Sequence, residues 1–272
     1  MKKTSISLYV FQVFKCLIYV LLTANIFFFY QEESLAVKST FSQGISISDI
    51  IQGFAATLDT AAWVMLLFLF ELNTSEYLKR LNLLNNAFIA KNFIRIFSYG
   101  LICYAFFGYL LKYILLINIE PFFIEDICSL VDQGYYLIEN LDEYPLMTAS
   151  NCLALSNNPL FVLSGQAILG TKSDWQAIQN LGLVDIINSG TWILIVMIIE
   201  LEVLFGSKLL TTRLKFLNLK ILKTILYLIL FSAAAFWGFK GDFLDFWDAF
   251  LWLVAFFFIE LNLLKIGQPQ TN

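Results

Sequence analysis

The sequence predicts an all-α polytopic membrane protein with six transmembrane helices, and three observations support this fold class. The first is composition: the 272 residues are 59% hydrophobic and 14% charged, with a mean hydropathy of +0.75, whereas soluble domains are about 45–50% apolar and about 25% charged. The second is a series of apolar segments, each long enough to cross a hydrocarbon core of about 30 Å. The third is a pattern that recurs three times along the chain, which is typical of internal repeats.

The recurring pattern combines a tryptophan with a glutamate inside an apolar run. In each copy the Glu follows the Trp by eight residues, a Leu comes next, and a small polar residue precedes the Trp by four. The tryptophans are Trp63, Trp192 and Trp252, the glutamates are Glu71, Glu200 and Glu260, and the small polar residues are Asp59, Asn188 and Asp248. We expect the Trp and the small polar residues at the outer membrane interface, where aromatic belts lie.

A second pattern recurs in the first, third and fifth apolar segments, where a basic residue precedes a tyrosine by four. The three pairs are Lys15 with Tyr19, Arg95 with Tyr99, and Lys223 with Tyr227. Together the two patterns predict three repeated helical hairpins, at about residues 8–80, 93–210 and 221–265, in a pseudo-threefold arrangement about an axis along the membrane normal. The first segment carries the same pair as two internal segments, so we expect it to be retained and not cleaved as a signal peptide.

Six spans can be placed within these hairpins. The first apolar run is Cys16 to Tyr30, and a polar, Ser-rich stretch follows it to Ser48. The other predicted helices are 49–80, 93–116, 186–208, 221–239 and 246–264. Lys112, near the end of the third helix, is expected to extend outward to the membrane surface. Residues 1–265 thus form the predicted membrane domain, and residues 266–272 form a polar tail.

Lys and Arg are unevenly distributed over the two sides of the predicted bundle. With the N-terminus inside, twelve of them lie in inner segments and three, Lys38, Lys172 and Lys240, lie in outer segments. This bias follows the positive-inside rule, so we expect both termini to be cytoplasmic. The positively charged start and the cysteines of the outer segment favour a bacterial inner membrane as the location.

Residues 117–185 are predicted to form an outer, periplasmic loop insertion between the third and fourth helices. The insertion carries nine acidic residues against Lys172 alone, a surface that is either simply solvated or concentrates cations over an entrance. Cys128 and Cys152 are expected to form a disulfide in an oxidising compartment, and the alternative is two free thiols. Ser173 to Gln176 has the pattern of a capping box, which opens a helix leading towards the fourth span.

The three repeated glutamates are the candidate functional residues. Because eight residues of helix rise about 12 Å, each Glu is expected near mid-membrane, where an unpaired charge costs about 2.5–3.5 kcal/mol or more. Three arrangements lower this cost. The carboxyls converge on a hydrated or ion-binding cavity, they are protonated, or each pairs with the Tyr or the basic residue of an odd-numbered helix. The residues one turn before each Glu are apolar, which disfavours a wet pore.

These features favour two functions over a third, a membrane enzyme. The first is a carrier or channel for an inorganic cation or protons, in which Glu71, Glu200, Glu260 and the additional acid Glu202 bind the ion while the tyrosine and basic pairs support them. The second is a non-catalytic scaffold or subunit of a larger membrane complex, in which the glutamates are structural clasps. The chain has no His and no recognised catalytic motif, so we expect no enzyme activity. We also predict no cofactor, no metal site and no nucleic-acid partner; the expected partners are the lipid bilayer and other membrane subunits.

Three two-helix repeats around a pseudo-threefold axis resemble the mitochondrial carriers in architecture. The Pro-x-acid-x-x-basic signature of that family is absent from this sequence, and no proline lies in any odd-numbered helix. The resemblance therefore implies an arrangement of hairpins and carries over no functional residue.

Overall fold

The computed structural model describes residues 2–40, 47–74, 88–155, 158–209, 213–240 and 242–266, and within these ranges the chain is mostly helical. The helices are α1 (Lys2–Thr40), α2 (Ile47–Gly53), α3 (Ala55–Thr74), α4 (Phe88–Ile117), α5 (Lys172–Leu209), α6 (Arg213–Lys240) and α7 (Phe243–Ile266). Two predicted regions lie outside the described residues. One is the end of the second helix at Lys79 and Arg80, and the other is residues 267–272 of the polar tail.

Five of these helices contain stretches long and apolar enough to cross a membrane. They are Val10–Lys38 in α1, Ala55–Leu72 in α3, Ile89–Ile117 in α4, Lys172–Leu201 in α5 and Leu219–Lys240 in α6. Large apolar side chains on them, such as Val10, Phe93 and Phe231, are exposed, as expected for faces that contact lipid. The helices therefore indicate an integral membrane protein. The sixth predicted span falls in α7, whose side chains beyond Phe257 lie outside the described part of the chain.

The first two predicted helices differ in extent from the observed ones. Helix α1 continues through the polar stretch as far as Thr40, because residues 31–37 are mostly good helix formers. The predicted helix 49–80 is instead interrupted at Phe54, which separates α2 from α3. The interruption follows Gly53, and the buried Glu33 carboxylate accepts the Ala56 N–H at 2.8 Å. Glu33 thereby satisfies one of the free amides in the first turn of α3.

Helix α5 begins at Lys172 and continues without a break into the predicted fourth span. Its cap lies two residues before the predicted Ser173. The Thr171 N–H donates to Asp174 Oδ2 at 2.8 Å, and the Asp174 N–H donates to Thr171 Oγ1 at 3.3 Å. These are the reciprocal bonds of a capping box. The position was missed because Ser173 and Gln176 offer the same chemistry at the same spacing as Thr171 and Asp174.

The chain divides into two compact units. The first comprises Met1–Phe28, Thr57–Cys103 and Ala234–Asn272, and the second comprises Phe29–Ala56 and Tyr104–Ala233. The interior of the first unit includes the fully buried side chains of Leu22, Ala62, Leu251 and Ala255. Small residues such as these two alanines are typical of closely packed membrane helices.

A close helix approach in the second unit depends on Gly108 of α4. A Cβ at this position would overlap the carbonyl oxygen of Ile51 in α2 and would lie 3.1 Å from the Cβ of Ala55. Glycine at such a contact lets two helix backbones approach, as small residues do in other membrane helix pairs. Gly108 therefore sets the distance between α4 and the junction of α2 with α3.

The insertion at 117–185 contains a small sheet, which corrects the prediction of a purely helical fold with a loop insertion. The strands are β1 (Ile119–Phe122), β2 (Tyr136–Leu137), β3 (Leu160–Leu163) and β4 (Ile168–Thr171), in the order β1-β3-β4-β2. Strands β2 and β4 are parallel and the other two pairs are antiparallel. A buried cluster that includes Leu130, Met147 and Leu169 forms the core of this region. Strands of two to four residues are too short to give a detectable alternation in the sequence.

Candidate functional site

Glu71, the glutamate of the first repeat, is paired with the two residues that the repeat places on the preceding odd-numbered helix. Lys15 Nζ lies 2.5 Å from Glu71 Oε1, and the Tyr19 hydroxyl donates to Glu71 Oε2 at 3.3 Å. The Lys15 ammonium also lies 5.9 Å from the centre of the Tyr19 ring, within the range of a cation–π contact. Of the three arrangements predicted for the glutamates, local pairing is the one found at Glu71.

The geometry of this cluster follows from helix periodicity. Lys15 and Tyr19 are four residues apart on α1, so their side chains lie on one face of the helix, and that face presents both donors to α3. The Lys15 and Glu71 side chains are 9% and 17% exposed, so the pair is largely removed from solvent. A buried cation and a buried carboxylate compensate each other only in such close geometry. The cluster, which we call the α1–α3 clasp, consists of Lys15, Tyr19 and Glu71.

Asp248, the small polar residue of the third repeat, is also hydrogen-bonded within the first unit. The Asn25 amide, which is 1% exposed, donates to Asp248 Oδ1 at 2.7 Å. Trp252, which follows Asp248 by one helical turn, also acts on this carboxyl group, and this gives the spacing of the small polar residue and the Trp a physical reason.

Equivalent tryptophans of the first and third repeats are in contact. The ring centres of Trp63 and Trp252 are 6.3 Å apart in an edge-to-face arrangement, and Phe256 packs against both rings. Both tryptophans are buried, so they are packing residues of the first unit.

The remaining residues of the repeats are distributed over both units. In the first unit Arg95 is exposed, and Tyr99 and Asp59 are half-buried. In the second unit Trp192 is buried, and Glu200, Asn188, Lys223 and Tyr227 are half-buried. The side chains of Glu202 and Glu260 lie outside the described part of the chain. The predicted ring of glutamates is therefore represented here by Glu71 and Glu200, which belong to different units.

A second polar cluster, which the sequence analysis missed, surrounds Lys112 in the second unit. Lys112 was expected to extend to the membrane surface. Its Nζ lies 2.6 Å from Asp142 Oδ1 of the insertion, and the two side chains are 16% and 21% exposed. Glu33 and Asp185 also act electrostatically on Lys112, and both are buried. Thirty residues separate Lys112 from Asp142, so no spacing rule could pair them. The only sequence signal was a lysine in an apolar helix that leads into an acidic segment.

Lys112 and Asp142 line a small cavity together with Tyr144, Thr40 and Gln52. Its volume of about 30 Å³ exceeds the roughly 10–15 Å³ that one water requires. The Tyr144 hydroxyl donates to the Leu141 carbonyl at 2.5 Å. Burial, and next the Asp142 carboxylate, raise the pKa of Tyr144 above its ordinary value, so this phenol is neutral at physiological pH. The cavity is therefore lined by the insertion and by α1, α2 and α4, and the Lys112–Asp142 ion pair joins the insertion to α4.

The predicted disulfide between Cys128 and Cys152 is confirmed, with a Cα–Cα distance of 5.2 Å. Cys152 is fully buried in the core of the insertion, and each cysteine belongs to a short 3₁₀ helix, Ile127–Leu130 or Cys152–Leu155. Asp126 supports the first of these turns by accepting the Cys128 N–H at 2.9 Å. The bond therefore joins the segment after β1 to the segment before β3.

Within the described residues, no group of three or more Asp, Glu, Cys or His side chains is arranged to hold a metal ion. In the polar clusters described above, a carboxylate is instead paired with a lysine or accepts a hydrogen bond from a neutral side chain. Comparison of the chain with models of protein families, with characterised proteins and with solved structures gives no match.

Proposed function

We propose that the chain is a non-catalytic membrane scaffold, a subunit of a larger membrane complex, in which the repeated glutamates clasp helices together. The observation that carries the proposal is the α1–α3 clasp, in which Lys15 and Tyr19 bind the two oxygens of Glu71. A carboxylate whose charge is already compensated by a nearby lysine attracts a cation less strongly than an unpaired one. The charge of Glu71 is compensated by Lys15, and each of its two oxygens accepts a hydrogen bond.

The repeat supports extending this role to the whole membrane domain. By sequence, a basic residue, a Tyr and a Glu recur in each of the three predicted hairpins, so we propose that the glutamates of the other two hairpins are held by equivalent partners. The contact between Trp63 and Trp252 supports a parallel arrangement of the first and third hairpins. We accordingly propose six spans in three hairpins around a pseudo-threefold axis.

The Cys128–Cys152 disulfide supports placing the insertion in an oxidising compartment. Disulfides persist in oxidising compartments such as the bacterial periplasm, so we place the insertion there and both termini in the cytoplasm, across a bacterial inner membrane. This orientation agrees with the distribution of Lys and Arg along the sequence. The scaffold then holds a disulfide-bonded domain on the outer side of the membrane, where partner proteins reach it.

The rival function, a carrier or channel for a cation or protons, makes opposite predictions for the same variants. The test uses purified wild type and the triple variant Glu71→Gln, Glu200→Gln and Glu260→Gln, each reconstituted in liposomes under separate gradients of H⁺, Na⁺ and K⁺. A scaffold gives no flux above empty liposomes, and the triple variant unfolds at a lower temperature than the wild type. Flux through the wild type that the triple variant abolishes without any change in its unfolding temperature would overturn the proposal.

A further inference from the structure

An open groove lies at one end of the sheet in the insertion. Its walls are the end of β1 with the residues that follow it, 121–125, and the start of β3 with the residues that precede it, 158–161. The groove has a volume of about 560 Å³ and is lined mainly by apolar side chains, among them Pro121, Phe122 and Phe161. Phe123 stands at its edge with 92% of its surface exposed. An exposed aromatic beside an apolar groove marks an interaction site more often than an isolated apolar residue does.

The walls of the groove are held in place by the fold. Residues Pro121 and Phe122 pair with Phe161 and Leu160 across β1 and β3. The Cys128–Cys152 disulfide joins the segments that continue from the two walls. A groove that is already ordered loses little conformational entropy when it is occupied, so its shape is suited to binding.

The charge around the groove restricts what can occupy it. Glu120, Glu125 and Asp126 flank the β1 wall and are all exposed, and the insertion as a whole has nine acidic residues and one lysine. An anionic lipid surface would be repelled by these carboxylates. A second copy of the chain would bring the same carboxylates against each other in a symmetric contact. The complementary occupant is a segment of positive charge.

The edge of the sheet excludes one mode of binding. Strand β1 is an edge strand of the four, but Pro121 in its centre has no N–H to donate, and proline protects edges from strand addition. A partner is therefore bound through side chains in the groove and not by extending the sheet.

We propose that the groove binds a segment of a partner protein in which Lys or Arg residues flank an aromatic or large aliphatic side chain. The apolar side chain enters the groove beside Phe123, and the basic residues face Glu120 and Glu125. The inference rests on the proposed scaffold function, since it names the chemistry of the partner that the scaffold holds.

The test measures binding of fluorescent peptides to the full-length protein in nanodiscs of uncharged lipid. The probe alternates Lys with Phe and Leu, and the reference peptide has Glu in place of each Lys. We expect the Lys peptide to bind and to lose affinity as salt is raised.

Phe123→Ser and the pair Glu120→Gln with Glu125→Gln should each weaken binding by about tenfold or more. Leu153→Ser is the matched control, because Leu153 is an exposed apolar residue of the same insertion that does not line the groove, and it should bind as the wild type does.

Three results would overturn the inference. They are equal binding of the Lys and Glu peptides, equal affinity of the Phe123→Ser and Leu153→Ser variants, and binding of the wild type to vesicles of anionic lipid or to itself that Phe123→Ser removes. These results leave the flux measurement unaffected, so failure of this inference is distinguishable from failure of the scaffold proposal. Circular dichroism of each variant confirms that the fold is retained before binding is compared.

Discussion

Lys15 and Glu71 neutralise each other across α1 and α3, with 2.5 Å between the ammonium nitrogen and the nearer carboxylate oxygen. The two residues are 56 positions apart in sequence, and each is separately marked by the repeat. The pairing explains why a carboxylate is tolerated inside an apolar segment: the desolvated charge is compensated by a second charge and by the Tyr19 hydroxyl.

Removing one member of this pair should destabilise the protein more than removing both. Glu71→Gln leaves the Lys15 ammonium without its counter-charge, and breaking a buried pair in this way costs about 3–5 kcal/mol. The double variant Lys15→Gln with Glu71→Gln removes both charges and should recover part of that loss. The free energy of unfolding in detergent, followed by tryptophan fluorescence, measures both effects.

Lys38→Gln is the control for this cycle, since Lys38 lies on the same helix as Lys15, is exposed and belongs to neither recurring pattern. Its effect should stay within about 0.5 kcal/mol, as for most surface substitutions. Additive effects of Lys15→Gln and Glu71→Gln would show that the two residues do not interact and would contradict the clasp.

The sequence predicted the parts of the molecule that local chemistry determines. The apolar runs of α1, α4 and α6 and the donors Lys15 and Tyr19 follow from composition and periodicity. Cys128 and Cys152 follow from counting the cysteines of the insertion. Contacts between distant segments could not be predicted in this way. Nothing in the order of residues indicates that Asp142 reaches Lys112 or that Asn25 reaches Asp248, because these pairings depend on how the helices pack.

Gly108 provides a test of the close approach of α2 to α4. Gly108→Ala places a methyl group against the Ile51 carbonyl, and since a backbone atom cannot move aside as a side chain can, we expect a loss of stability of about 1–3 kcal/mol. Gly100→Ala in the same helix is the matched control, because among the described residues no atom lies within 4 Å of its added Cβ.

Gly100→Ala should be neutral or stabilising by up to about 1 kcal/mol, since alanine favours helix over glycine. Measured under the same detergent conditions, the unfolding temperature falls in Gly108→Ala and does not fall in Gly100→Ala if the packing at Gly108 is as described. A Gly108→Ala protein that is as stable as Gly100→Ala would refute the close contact.

The disulfide is expected to stabilise the insertion locally. Cys128→Ser with Cys152→Ser removes a cross-link between residues 24 positions apart, for which loop-closure entropy gives a contribution of about 3 kcal/mol. The insertion should then be cleaved faster by a protease added to its side of the membrane, while the helices remain protected.

The Cys16→Ser with Cys103→Ser variant, which removes the two free cysteines, is the control and should be cleaved as slowly as the wild type. Equal cleavage of the two double variants would show that the bond does not hold the insertion together.

Tyr144 should make the protein sensitive to alkaline pH. Burial and the Asp142 carboxylate raise the pKa of this phenol in the folded state above its ordinary value near 10. A raised folded-state pKa gives a contribution to stability that is fully present below about pH 10 and is lost as pH rises through the folded pKa, at up to about 1.4 kcal/mol per pH unit.

Tyr144→Phe removes this dependence, and at neutral pH it loses only the hydrogen bond to Leu141, about 1 kcal/mol. Unfolding free energies measured from neutral pH to about pH 11 should therefore converge for wild type and variant above about pH 10. Leu153→Ser, a substitution at an exposed residue of the same insertion that does not titrate, is the control and should keep the alkaline slope of the wild type. If the wild-type and Tyr144→Phe curves stay parallel over the whole range, the buried environment assigned to Tyr144 is wrong.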